Sequence, residues 1–288
     1  MSLQGLVVAA YGKRYQVELP DYTRLSCVTR GKKTDLACGD LVQVTQTSSN
    51  EGVVEKYLPR KTLLFRSSAF KSKMLAANVT QAIIVLATQP SFYEGLLNRC
   101  LVAAQVAGIR PLIVLNKCDL NDDSDAHNRL QRYEQLGYTV LNLSATQDVA
   151  PLRPYLHQQS SVLVGQSGMG KSTIVNALVP QAEVRTQAIS EVLDSGKHTT
   201  TAAHLYHLDA QSSLIDSPGL QEFGIHHLSQ TELELAFPEF KPFLGHCRFN
   251  NCRHLHEPDC AILAAVDNGK ITVTRLQAYQ QLTHEIGG

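Results

Sequence analysis

The chain has 288 residues, 43% of them apolar and 18% charged, and its 26 Lys and Arg are balanced by 26 Asp and Glu. That composition excludes a disordered polymer and suits two or three folded units, each with a core. No stretch reaches the roughly 18 apolar residues of a membrane helix, and MSLQGLVVAAYGKRYQV lacks the basic flank and apolar run of an export signal, so a soluble cytoplasmic protein with no membrane partner is expected.

Short β-rich runs, LVVAAY, RYQVEL, RLSCVT, DLVQVT and GVVEKYL, fill the first sixty residues between Gly, Asp, Asn and Lys clusters, which is the spacing of a small barrel. Residues 1–66 carry ten Lys or Arg against six Asp or Glu, while residues 151–288 carry nine against thirteen. So small a basic excess fits a solvated surface as well as a nucleic-acid contact.

From residue 82 apolar strands alternate with helical stretches: QAIIVLAT, YEGLLNRCLVAAQVAG, PLIVLN, DAHNRLQRYEQLG, YTVLNLS and SVLVG. This is an α/β sheet domain. After about residue 230 the pattern is helical, interrupted by Cys and His, and ends in TVTRLQAYQQLTHEI, where Val273, Leu276, Tyr279 and Leu282 recur on one face.

The run Gly165, Gln166, Ser167, Gly168, Met169, Gly170, Lys171, Ser172, Thr173 follows the strand SVLV and opens the helix STIVNAL. Backbone N–H groups and a helix N-terminus there can cradle phosphate, with Lys171 reaching the β and γ phosphates and Ser172 placing its hydroxyl on Mg²⁺. Downstream, SLIDSPG ends a strand in Asp216 and Gly219, an Asp for Mg²⁺ and an N–H for the γ-phosphate. Between them GKHTTT, residues 196–201, offers hydroxyls, that of Thr200 among them, for Mg²⁺ and the γ-phosphate, as a switch loop does.

The base reader lies upstream. PLIVL leads into Asn116-Lys117-Cys118-Asp119, and TVLNL leads into Ser144-Ala145. An Asp accepting from guanine N1–H and the exocyclic amine rejects adenine, whose edge would leave the carboxylate unpaired. In Ras-like proteins the phosphate loop comes first and the guanine reader last; here that order is reversed. A circular permutation that joins the old termini keeps the same sheet and leaves the chain to continue beyond the second switch.

In CRFNNCRHLHEPDC, Cys247, Cys252, His254 and Cys260 put three thiols and an imidazole within fourteen residues, a Cys₃His set for one structural zinc, with His256 as an alternative fourth ligand. Cys27, Cys38, Cys100 and Cys118 have no such partners in sequence and are read as packing residues.

A barrel-like N-terminus, the permuted GTPase motifs, GKHTTT, DSPGLQEFG and the trailing Cys/His cluster together resemble the ribosome small-subunit-dependent GTPase family, RsgA or YjeQ, over essentially the whole chain. The resemblance implies an OB-fold barrel over residues 1–66, a circularly permuted P-loop GTPase domain over 67–228 and a mainly helical zinc-binding domain over 229–288. It implies GTP and GDP, Mg²⁺ and one zinc as ligands, the 30S subunit and 16S rRNA as partners, a monomer, and a role in late 30S maturation. It also favours His254 over His256. Lys197 stands where the family commonly has Arg, and His226 where an aromatic is common.

Leu220 occupies the place after Asp216-x-x-Gly219 where Ras-like proteins carry a water-orienting Gln, so slow intrinsic turnover is expected. The resemblance assigns the catalytic histidine to His227, and a helix-start histidine without a catalytic role is the competing reading. Gly219 and Gly224 flank a segment, 217–228, expected to be mobile in the free protein. Two other functions stay open: an RNA-binding module whose hydrolysis is only a slow timer, and a P-loop ATPase or kinase, which Asn-Lys-x-Asp argues against.

Overall fold

Tyr15 and Val17, Leu25 and Cys27, and Val42 and Val44 alternate with more exposed neighbours, and the barrel core is built from these pairs with Val7 and Val54. The computed structural model describes residues 2–31, 35–67, 72–120, 124–179, 202–217 and 223–286. Strands β1 (Ser2–Tyr11), β2 (Arg14–Glu18), β3 (Arg24–Thr29), β4 (Leu41–Gln46) and β5 (Glu51–Tyr57) close in the order β1-β2-β3-β5-β4, with β4 returning to β1. Closure removes the free edges that a five-stranded sheet would otherwise expose.

The long first strand does two jobs. Its first half pairs with β4, its second with β2, and a bulge separates Val7 from Ala9. Beyond the bulge, Ala9 and Ala10 also pair antiparallel with His204 and Ala203 of strand β12 (Ala203–His207), so the barrel continues into the large sheet. Glu18, almost wholly buried, ties the same junction by accepting from Arg24 of the barrel and from His207 Nε2 at 2.6 Å.

The large sheet runs β10 (Thr139–Asn142), β9 (Arg110–Asn116), β8 (Gln81–Ala87), β11 (Ser160–Val164), β13 (Ser213–Asp216), β12, all parallel except β12. Every residue of β8 is buried because helices cover both faces. Ala82, Ile84 and Leu86 point to the layer of α1 (Glu94–Val106) and α2 (Ser124–Gln135). Ile83, Val85 and Ala87 point to α3 (Arg153–Leu156) and α4 (Lys171–Leu178). The strand order reverses between β8 and β11, which is where α/β sheets bind ligands at their carboxyl ends.

Sequence periodicity left a hairpin unassigned, β6 (Leu63–Ser67) with β7 (Ser72–Ala77), which crosses the 66/67 division. Its alternation is irregular because a bulge falls between Leu64 and Phe65. The tail adds α5 (Gln230–Leu235), a 3-10 segment at Pro238–Phe243, α6 (Ala261–Asp267) and α7 (Val273–Ile286). These pack on the α1 side of the sheet, sharing one core through Leu233, Phe237, Phe240 and Tyr279. Buried Arg275 pins α7 by donating to Asn98 at 2.6 Å and Glu239 at 2.5 Å. Val273 departs from the expected buried face and is 58% exposed, since it is the first residue of its helix. Among the described residues no helix is long and apolar enough to cross a membrane.

Candidate nucleotide and metal sites

Parallel strands put their carboxyl ends at one edge, so the segments after β8, β9, β10, β11 and β13 gather there. The loop after β11 turns into α4 at Gly170, whose φ is 91°. A Cβ at that glycine would lie 2.2 Å from Asn116 Nδ2, so no other residue fits without displacing Asn116. Asn116, buried at the end of β9, donates to the Met169 carbonyl at 3.0 Å and accepts from the Ala145 N–H at 2.9 Å. One side chain therefore fastens the loop after β11 to the segments that follow β9 and β10.

Around it, Lys117 sits at φ 64° with its carbonyl accepting from Thr88 Oγ1 at 2.9 Å and its Nζ donating to the Gln89 carbonyl at 2.8 Å. Asp119 is exposed and accepts from Ser144 Oγ at 2.5 Å, which ties the segment after β9 to the segment after β10. Thr88 and Gln89 escaped the sequence reading. Their only signal was their place at the end of β8, beside the reversal of strand order.

Lys171 is buried and turned back on its own loop, donating to the Gly165 and Gln166 carbonyls at 2.8 Å each. Burial lowers its pKa against the pull of Asp216. Burial likewise pushes the Asp216 carboxyl up to about 6, against the pull of Lys171. Both groups are thus short of compensation, and a cation beside Asp216 with an anion beside Lys171 would supply it. Ser172 and Thr173 lie exposed on the first turn of α4, and Ser217 Oγ donates to the Leu163 carbonyl at 2.6 Å, bracing the end of β13 against β11. Gly219, Leu220, Lys197, Thr200 and the rest of GKHTTT fall outside the described residues.

His227 follows the bridge between Ile225 and Ser67, stacks on Phe65 with ring centroids 4.0 Å apart, and has its Nδ1 2.7 Å from Ser67 Oγ. Partial burial first, then His226, lowers its pKa, while Glu232 opposes the shift. The expectation of a mobile 217–228 needs correction for its described part. Phe223, Ile225 and Leu228 are buried, and Ile225 N–H and His226 both face Glu285 of α7. Phe223, Ile225 and Leu228 anchor this stretch in the core despite its glycine.

The sulfurs of Cys247, Cys252 and Cys260 and one His254 nitrogen lie within 4.8 Å of one another, a group that can hold one metal ion. His254 Nδ1 is 3.6 Å from Cys247 Sγ and 3.3 Å from Cys260 Sγ, and those two sulfurs are 3.8 Å apart. A tetrahedron with metal–sulfur bonds of about 2.3 Å has edges of roughly 3.8 Å, so the donor set fits zinc in both chemistry and size. His254 Nε2 lies 3.7 Å from Glu234 Oε1, the outer carboxylate that a metal-bound imidazole commonly has. His256 is exposed. Glu257 accepts from the Arg253, Leu255 and His256 N–H groups and fixes the loop between the ligands.

A family model described as RsgA GTPase matches residues 57–226. The chain is 53% identical to the small ribosomal subunit biogenesis GTPase RsgA of Nitrosospira multiformis, over 97% of this chain and 90% of that one. Among solved structures it resembles YjeQ from Thermotoga maritima, with a TM-score of 0.75 and 29% identity, covering 100% of this chain and 99% of that one. It also resembles YloQ, described as a circularly permuted GTPase, with a TM-score of 0.70 and 26% identity, covering 100% of this chain and 96% of that one.

Proposed function

The chain belongs to the RsgA GTPase family, and from that premise we propose that it is a GTPase of small-subunit biogenesis that binds the 30S particle and hydrolyses GTP rapidly only when docked. The observation that carries this reading is the Asn116 bridge, which joins the phosphate loop to the guanine reader across the reversed sequence order.

In this reading the three units divide the work. Residues 1–66 dock on 16S rRNA through backbone shape and phosphate contacts, residues 67–228 bind and hydrolyse GTP, and residues 229–288 hold zinc, in a protein acting as a monomer. Asp119 reads guanine N1–H and the 2-amino group, with Ser144 and Ala145 closing the base pocket. The loop from Gly165 to Thr173 cradles the phosphates. On GTP binding, Lys171 would exchange its two carbonyl partners for phosphate oxygens, which restores the charge that burial opposes.

Ser172 and Asp216, with Thr200 and the Gly219 N–H completing the γ-phosphate side, would hold Mg²⁺ and the nucleotide; the ion would supply neutralisation of phosphate charge. Zinc would take Cys247, Cys252, His254 and Cys260, leaving no open position, and so supplies folding energy to the tail. His227, the histidine that the family resemblance assigns to catalysis, is the side chain that would orient the attacking water.

Single-turnover hydrolysis with and without purified 30S subunits tests the proposal. Subunits should raise the rate steeply, and His227→Ala should lower the stimulated rate roughly 10²-fold or more while GTP binding survives. A rate indifferent to subunits would leave only a slow timer, and an undiminished stimulated rate in the variant would make His227 structural.

A further inference from the structure

Ser67 ends β6 and is buried. Its N–H donates to the Gly224 carbonyl at 3.0 Å, and a Cβ on Gly224 would fall 2.1 Å from the Ser67 carbonyl oxygen. That close approach brings the His227 backbone within reach: its N–H donates to Ser67 Oγ at 3.0 Å. The same oxygen lies 2.7 Å from His227 Nδ1, and the imidazole rests on Phe65.

Hydrogen-bond accounting among the described residues then points to one tautomer of the ring. A serine hydroxyl has one proton to give, and among the described residues Ser67 has no acceptor other than His227 Nδ1. If Nδ1 instead carried a proton and donated it, the hydroxyl of buried Ser67 would have no acceptor among the described residues, a cost of the kind folded proteins avoid. The satisfied arrangement has Ser67 donating to Nδ1, which places the neutral ring's proton on Nε2. In that state one nitrogen is occupied and the other is a donor, so neither can accept from a water.

We propose that Ser67 is a positioning residue that latches His227 in the Nε2–H tautomer and withholds it from hydrolysis until the contact between them is broken. The proposal rests on the reading of His227 as the water-orienting group. The latch is braced from the other side, because Ile225 N–H donates to Glu285 Oε1 at 3.3 Å and Glu285 is itself paired with Arg99 at 2.7 Å. A docking partner that pulls residues 224–227 away from β6 would free Nδ1.

The test has a spectroscopic arm and a kinetic arm. Long-range ¹H–¹⁵N correlation of the histidine rings in the full-length free protein at neutral pH, with His227 identified by His227→Gln, should show a protonated Nε2 and a bare Nδ1. Ser67→Ala should give mixed tautomers, and Ser67→Thr, which keeps the hydroxyl, should restore the original one. Partner-free single-turnover GTP hydrolysis should rise about fivefold in Ser67→Ala, the scale of one lost neutral hydrogen bond. It should stay unchanged in Ser67→Thr and fall back in Ser67→Ala with His227→Ala. A protonated Nδ1 in the unaltered protein overturns the latch, as does a Ser67→Ala rate that is unchanged, reduced, or raised independently of His227. An undiminished 30S-stimulated rate in His227→Ala with the tautomer shift intact would instead sink the water-orienting role and leave the contact itself standing.

Discussion

Asn116 and Met169 are 53 positions apart in sequence and are joined by a 3.0 Å hydrogen bond from the asparagine amide to the methionine carbonyl. The opposite side of the same amide accepts from Ala145. Asn116→Ala would leave a buried carbonyl and a buried N–H unsatisfied, so a loss of roughly 2 to 4 kcal/mol in chemical denaturation is expected. GTP and GDP should weaken together, because the loops loosen while Asp119 remains. Selective loss of one nucleotide would contradict a bracing role.

In the proposed pocket the Asp119 carboxylate accepts from the 2-amino group, so Asp119→Asn should shift preference from guanine to xanthine nucleotides. The expected loss in GTP affinity is about 2 to 4 kcal/mol, from an unpaired polar group and a lost charged hydrogen bond. Calorimetric titration with GTP, XTP and ATP checks it, and undiminished GTP affinity would remove Asp119 from the pocket.

Asp216 gives a pH signature. Its carboxyl is pushed up to about 6 from an ordinary 3.8 by burial, with Lys171 opposing. The folded state therefore binds more protons than the unfolded one between these values, and stability falls as pH rises through that window. Above pH 6 the ionised carboxylate costs on the order of 3 kcal/mol. Asp216→Asn should accordingly raise nucleotide-free stability at pH 7.5 and give little gain near pH 4, while abolishing Mg²⁺-dependent hydrolysis. Denaturation curves for both proteins across pH 4 to 8 decide it; an equal gain at every pH would rule out titration as the cause.

The metal cluster should carry about one zinc per chain after purification without added metal. Chelation or Cys252→Ser should melt the tail, whose helices share a core with α1, while nucleotide affinity changes little. Glu234→Gln keeps the shape but weakens the hold on His254 Nε2, and about a tenfold or greater loss in zinc affinity by competition is expected. A folded, metal-free tail would refute the structural role.

The sequence by itself carried the patterns that are written locally. The phosphate loop, Asn-Lys-x-Asp, Ser-Ala and the Cys₃His spacing depend on residues a few positions apart, so their patterns survive in one dimension, and their order along the chain sufficed to reveal the permutation. The barrel strands and β8 were legible for the same reason, as burial on one or both faces imposes a period on composition. Only the tertiary structure decided how these pieces meet. The Asn116 bridge, the pairing of β1 with β12 and the Ser67–His227 contact across 160 positions depend on sheet order and side-chain direction, which no local pattern encodes. The hairpin carrying Ser67 was missed because a bulge breaks its alternation, and Val273 was placed wrongly because periodicity marks a helix face but not where that face runs out of core.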